Sequence, residues 1–237
     1  LARAERGAFK RTYFVNEAKK LKKFEPVLSE AHWILAISPN DQRYFNLHFK
    51  RVKHIPAFHP HERVDVPAGL GDYCLYHGAL GVPENDQAAL WLVREVFKGL
   101  PVPLVIAGSG ASSELKAAVA RANNVKLREN IPTAEIQELI RNAQVNVLPT
   151  FQATGIKLKL LNALFTGRHV VCNTPMVQDT GLEGLCHVHD DPDRMRLSIQ
   201  ACMAQRCEGA MIEQRVEVLE QRFNNRRNAE AIVKLLR

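Results

Sequence analysis

The sequence predicts a Rossmann-like, doubly wound α/β fold on a parallel sheet, accompanied by a partial second α/β domain. Three observations carry this expectation. Short apolar runs suited to buried strands alternate with helical segments from Trp33 onward; the alternation restarts after a His-, Pro- and Gly-rich segment at residues 59–72; and one apolar run leads into a glycine-bearing loop followed by two lysines. Such alternation argues for parallel strands, with ligands bound beyond their carboxyl ends where the strand order reverses.

Taken in order, residues 1–31 read as helical turns rather than the opening strand of an α/β unit, and Leu1 in place of an initiator methionine suggests a chain truncated at its start. WILAIS, from Trp33 to Ser38, suits a buried strand; Pro39 and Asn40 open a helix through about Phe49, and VKHIPAF returns as a strand. The segment HPHERVDVPAGLGD is the best linker. Beyond it come a strand at Tyr73 to Leu80, a loop with Gly81, Pro83 and Asn85, and a helix from about Asp86 to Lys98 with Ala88, Leu90, Trp91, Val93 and Val96 inward. PLVIAG is a strand, Ser112 or Ser113 caps a helix through Ala122, and VKLREN is a strand. Pro132 and Thr133 start a helix with Ile136, Leu139 and Ile140 on one face; VNVLP is a strand, Lys157 to Phe165 a helix and HVVCN a strand. Asp191 and Pro192 suit the cap and first residue of a helix through Gln205, another runs from Met211 to Phe223, and Asn228 caps a last helix, AEAIVKLLR.

Composition narrows the function classes. With 46% hydrophobic and 24% charged residues the chain can bury a core, no apolar run approaches the ~20 residues that span a bilayer, and nothing at the start resembles a signal peptide, so a cytoplasmic location is expected. Five cysteines, at 74, 172, 186, 202 and 207, form no CxxC pair and read as reduced core thiols. The net charge of +7 implies an anionic partner. Lys19, Lys20, Lys22 and Lys23 cluster in one segment, which reads as a solvated helix face, with anionic lipid headgroups as the alternative; it lacks the aromatic interleaving that stacks nucleic-acid bases.

The most informative stretch is PTFQATGIKLKLLNALFTGRHVV, Pro149 to Val171. A strand, a short loop and a helix whose first turn carries Lys157 and Lys159 make a phosphate site: the helix start offers unpaired N–H groups and a positive dipole end, Gly155 admits close approach, and the ammonium groups add charge. A diphosphate is the natural guest. Other motifs weigh less. GSGASS at Gly108 lacks the third glycine and the acidic residue of a dinucleotide site. DDPD at Asp190 to Asp193 is explained by capping. His59 with His61, and His187 with His189, alternate as two metal ligands would, but no third ligand is near in sequence, and no metal site is expected.

The stretch resembles the C-terminal signature of the glycosyl group 1 transferases, a GT-B family. Pro149, Thr154, Gly155, Lys157, Lys159, Leu161, Ala163, Gly167, Val170 and Val171 match its pattern in order, and a looser likeness extends from about Leu21 to the end. The resemblance implies a remnant of the acceptor-side domain at 1–65, a donor-binding domain at 66–221 and a terminal helix at 222–237 that crosses back to the N-terminal part. It implies donor phosphates at Gly78, Gly81, Thr154, Gly155, Ile156, Lys157 and Lys159, a ribose at Asn162, and a base at Arg128, Glu129, Asn130 and Ile131. Two departures stand out: the family's helix glutamate is Asn162 here, and its upstream glutamate falls among Gln152, Ala153 and Thr154.

The function implied is transfer of a sugar from a nucleoside-diphosphate sugar to a hydroxyl acceptor, a glycan or a lipid-linked sugar, with no metal or other cofactor and no nucleic acid. Peripheral contact with the inner membrane face accompanies it as an option. The catalytic residues are not identified from the sequence; a general base would come from the N-terminal half. The alternatives are a sugar-nucleotide epimerase of the same fold and, given the absent glutamates, a non-catalytic nucleotide-sugar binder or scaffold.

Overall fold

The computed structural model describes residues 8–152 and 157–236, and the chain divides into two compact units, one ending at Ile55 and the other spanning Pro56–Leu236. In the smaller unit, helix α1 (Ala8–Phe24) leads through a short 3-10 turn to strand β1 (Ile34–Ala36), helix α2 (Pro39–Asn46) and strand β2 (Val52–His54). The two strands pair in parallel. Ser38 accepts a hydrogen bond from the Asp41 amide at the head of α2, with Pro39 inside the first turn. The four clustered lysines lie exposed on α1. No helix among the described residues is long and apolar enough to cross a membrane.

The larger unit is a parallel six-stranded sheet. Its strands are β3 (Cys74–His77), β4 (Leu104–Gly108), β5 (Val125–Glu129), β6 (Val145–Leu148), β7 (His169–Cys172) and β8 (His187–Val188), in the spatial order β5-β4-β3-β6-β7-β8. Parallel crossovers first build outward from β3 to β5, and the chain then returns to lay β6 on the other side of β3. The order therefore reverses between β3 and β6, as a doubly wound sheet requires.

Helices cover both faces. On one, α3 (Pro83–Trp91), α4 (Ser113–Ala120) and α8 (Pro192–Ala204) bury Leu90, Leu115, Ile199 and Cys202 against the strands. On the other, α5 (Thr133–Asn142), α6 (Leu158–Thr166) and α9 (Ala210–Arg222) bury Ile140, Leu160, Leu164 and Leu219. Coverage of both faces explains why β3, β6 and β7 are buried at every position rather than alternating. All five cysteines are free thiols.

Several expected boundaries are corrected. The helix expected from Asp86 starts at Pro83 and passes into a π-helical turn at Leu92–Val96. The expected strand VKHIPAF pairs only over Val52–His54. Asn228 does not cap the last helix: α10 (Asn225–Leu235) is capped by Asn224, whose side chain accepts from the Arg227 amide, while Asn228 is buried one turn in and donates to the Pro56 carbonyl. A short helix α7 (Thr174–Val177) and the edge strand β8 are additional to the expected elements. The first part of the expected linker, residues 59–65, packs within the larger unit: His59 and His61 lie against the Phe165 ring, and Arg141 binds Asp65.

Candidate functional site

The loops leaving β3 and β6 meet at the reversal of strand order, so the fold brings together segments more than sixty residues apart. The β3 loop carries Gly78 and Gly81. A Cβ on Gly108, at the end of β4, would lie 1.9 Å from the Gly78 carbonyl oxygen, and one on Gly110 (φ +78°) would lie 2.9 Å from the Gly81 Cα. Glycine at 108 and 110 therefore lets these loops abut. The amides of Gly78 and Gly81 donate to the carbonyls of Ala107 and Ser109, at 3.1 and 2.9 Å. Both glycines thus have a packing role, and GSG at 108–110 is the abutment they lean on.

The β6 loop is clasped from the neighbouring strand end. Asn173, just after β7, accepts from the Thr150 amide at 2.9 Å and donates to the Thr150 carbonyl at 2.7 Å. The Thr150 hydroxyl donates to Glu84, in the first turn of α3. Thr154, Gly155 and Ile156 lie outside the described residues.

Lys157 and Lys159 stand where the loop becomes α6. Lys157, expected in the first turn, is instead the residue before it, in a non-helical conformation (φ −93°, ψ 59°), and Leu158 begins the helix. Its ammonium donates to the Gln152 carbonyl at 2.8 Å. Lys159 donates to Asn85 Oδ1 at 2.9 Å and sits 5.4 Å from the centre of the Tyr76 ring. Asn85 is held in turn, its amide nitrogen donating to the Ala79 carbonyl and its own carbonyl accepting from the Tyr76 hydroxyl.

Both lysines are half-buried, and desolvation pulls their pKa values below the usual lysine range while the Glu84 carboxylate pushes back. Each ammonium also lies at the positive end of the α6 dipole, where a cation is disfavoured. Burial, mutual repulsion and the dipole all act against the two charges, and an anion seated there would relieve all three. Beside them His77 is buried, its Nε2 has no hydrogen-bond partner, and burial followed by the Lys159 charge depresses its pKa to about 4. At neutral pH it is an uncharged imidazole.

The remaining expected residues are scattered around this centre. Arg128 pairs with Glu135, and Glu129 bonds both Lys116 and the Ala111 amide, so these side chains hold the β5 end and the loop after β4. Asn130 adopts a left-handed conformation (φ 56°) and its amide donates to the Gly108 carbonyl. Ile131 packs on the second core cluster. Asn162, on α6, faces His61 at 2.9 Å between its Oδ1 and the ring Nε2, with His61 stacked on Phe165. Glu84, Asn85, Thr150 and Asn173 are members of the site not singled out as ligand-binding from the sequence. The one local signal was a Pro-Glu-Asn-Asp helix start, which also reads as ordinary capping chemistry.

The family model described as glycosyl transferases group 1 matches residues 71–205, more than half of the 237 residues. The chain belongs to this family. Among curated proteins none matches the sequence significantly. Solved structures extend the likeness at the level of fold. TarM superposes with a TM-score of 0.70 at 13% identity, covering 91% of this chain and 46% of that one. Sucrose-phosphate synthase from Thermosynechococcus elongatus gives 0.69 at 16% identity, covering 92% and 61%. HepE from Anabaena, in complex with UDP and glucose, gives 0.67 at 14% identity, covering 92% and 66%. The fold of this group 1 member is that of GT-B glycosyltransferases, and the chain spans about half to two-thirds of the length of these structures.

Proposed function

We propose that this chain is the donor-binding part of a glycosyltransferase that moves a sugar from a nucleoside-diphosphate sugar to a hydroxyl acceptor on a glycan or lipid-linked sugar. The observation that carries the reading is the pair of half-buried ammonium groups at the head of α6, at the reversal of strand order, with neutral hydrogen-bond partners at Gln152 and Asn85. A diphosphate is the anion that fits two such charges beside a helix N-terminus. The UDP and glucose in the HepE complex are consistent with it.

In this reading Lys157, Lys159 and amides of the 154–156 segment take the diphosphate, and the turn at Asn130 and Ile131 faces the base. Asn162 has its oxygen engaged by His61, which leaves its amide nitrogen as the donor toward a ribose hydroxyl. Catalysis is leaving-group stabilisation: as the glycosidic bond breaks, charge grows on the diphosphate, and the preorganised cations stabilise that state more than the ground state. No metal is assigned to the transfer step. Contact of the α1 lysines with an anionic membrane face would bring a lipid-linked acceptor near.

A second reading, nucleotide-sugar binding without transfer, is favoured by one observation: the two family glutamate positions hold no carboxylate. Thermal stability against UDP, GDP, ADP, dTDP, CDP and their sugars tests binding, because a ligand at ~100 times its dissociation constant adds about 2.7 kcal/mol. A base-selective rise lost in Lys157→Ala supports the donor site, and no rise from any nucleotide counts against it. Release of nucleoside diphosphate by the intact protein with acceptor present then separates transferase from binder; release without acceptor identifies an epimerase.

A further inference from the structure

The opposite end of the sheet carries a cluster of a different chemistry. His169 opens β7, His187 opens β8 and Cys202 lies in the last turn of α8; one ligand atom from each falls within 4.8 Å of the others. We propose that His169, His187 and Cys202 form a zinc site that ties β7, β8 and α8 together, remote from the lysine loop.

The state of His169 supports this directly. Its ring is buried, and Nε2 lies 2.9 Å from the Gln205 carbonyl, which can only accept, so Nε2 carries the proton. The lone pair is then on Nδ1, and that atom is buried with no hydrogen-bond partner. A backbone carbonyl that fixes the tautomer and leaves the other nitrogen bare is the usual outer support of a metal-ligating histidine.

Imidazole and thiolate ligands suit zinc, whose donors at ~2.0–2.3 Å from the metal stand roughly 3.3–3.8 Å apart, so rotations of about 1 Å close the present spacing. Binding displaces the Cys202 proton to solvent, and the thiolate cancels one of the two metal charges. The guanidiniums of Arg168 and Arg215 face the histidines and oppose the other. Their Nη groups are engaged with the carbonyls of Arg141, Asn142, Ala143, Gly167 and Arg168. His187 is only half-buried, so a fourth position opens toward solvent for water or hydroxide, and hydroxide would bring the complex to neutrality. The site stabilises the two-residue edge strand β8, which has few ladder bonds of its own.

The test is a titration of chelator-treated full chain with Zn(II), read by metal content after gel filtration and by thermal unfolding, and with Co(II), read by absorbance. One equivalent of metal, a higher melting temperature with Zn(II) and a thiolate-to-Co(II) band in the near ultraviolet are expected. Cys202→Ser abolishes the band, Cys186→Ser retains it, and His187→Gln weakens Zn(II) binding by about tenfold or more. His187→Gln also decides the matter should Cys202→Ser fail to fold. Absence of stoichiometric uptake, a band that persists in Cys202→Ser, or uptake indifferent to His187→Gln overturns the proposal.

Discussion

The larger unit buries cations in two places, and they differ in what surrounds them. Arg168 and Arg215 lie at the carboxyl ends of helices. Arg168 donates to the carbonyls of Arg141, Asn142 and Ala143 at the end of α5, and Arg215 to those of Gly167 and Arg168 after α6, each at 2.6 Å. There the dipole is negative and the orphan carbonyls take the Nη donors, although each Nε is buried without a partner and burial lowers the Arg215 pKa as it does those of the lysines. Lys157 and Lys159 lie at the other end of α6, where the dipole is positive and both pKa values are depressed. A buried cation alone does not mark a binding site. One placed against the local field is what the proposed donor site requires.

Substitutions can break this contrast. The largest effect is expected from Arg215→Met, which leaves the Gly167 and Arg168 carbonyls without their donor in the core; urea denaturation should report a loss of roughly 3–5 kcal/mol. Lys159→Met should leave the ligand-free protein as stable or more so, because it removes a charge that the fold disfavours. A loss comparable to that of Arg215→Met would place the two cations in one class.

Acid adds a second contrast. His77 has a folded pKa of about 4 against an ordinary 6.5, so the folded state resists protonation where the unfolded chain accepts it. Its contribution is fully present above pH 6.5 and is lost as the pH falls from 6.5 toward 4, by up to about 3 kcal/mol. His77→Phe should flatten that part of the stability curve. The depressed lysines act in the alkaline range: stability of the ligand-free protein should rise with pH from their folded values toward 10.5, and Lys159→Met should reduce that slope.

Under the proposed sugar transfer, Lys157→Ala is expected to lower donor turnover by about a hundredfold or more, equivalent to about 2.7 kcal/mol of transition-state stabilisation. The smallest effect is expected from Glu84→Gln. Removing the carboxylate that offsets both lysines should raise affinity for a nucleoside diphosphate a few-fold while lowering ligand-free stability, measured by calorimetry and urea denaturation.

The order of strands and helices was legible because each is written locally, in apolar runs such as PLVIAG and VNVLP and in caps such as Ser112 and Asp191. Lys157 and Lys159 were legible for the same reason, lying beside a glycine loop before an amphipathic helix. Glu84 and Asn85 were not, because their bonds to Thr150 and Lys159 join residues 66 and 74 apart, and local periodicity is blind to such pairs. Strand β8 has two residues, too few to show an alternation, so His187 could not be seen to lie beside His169. The β3 loop illustrates the converse: its glycines suggested phosphate contacts, while the close approach of the two loops demands glycine at 108 and 110, and the Gly78 and Gly81 amides donate across it to Ala107 and Ser109.

The most direct measurement of the central claim is isothermal titration of nucleoside diphosphates into the wild-type chain and into Lys157→Ala, Lys159→Met and the double variant. Binding selective for one base is expected, with a loss in each single variant, a near-complete loss in the double, and folded proteins throughout. Equal affinity in the wild type and the double variant would contradict it, because the anion would then be held without the two cations that the fold buries against their own helix.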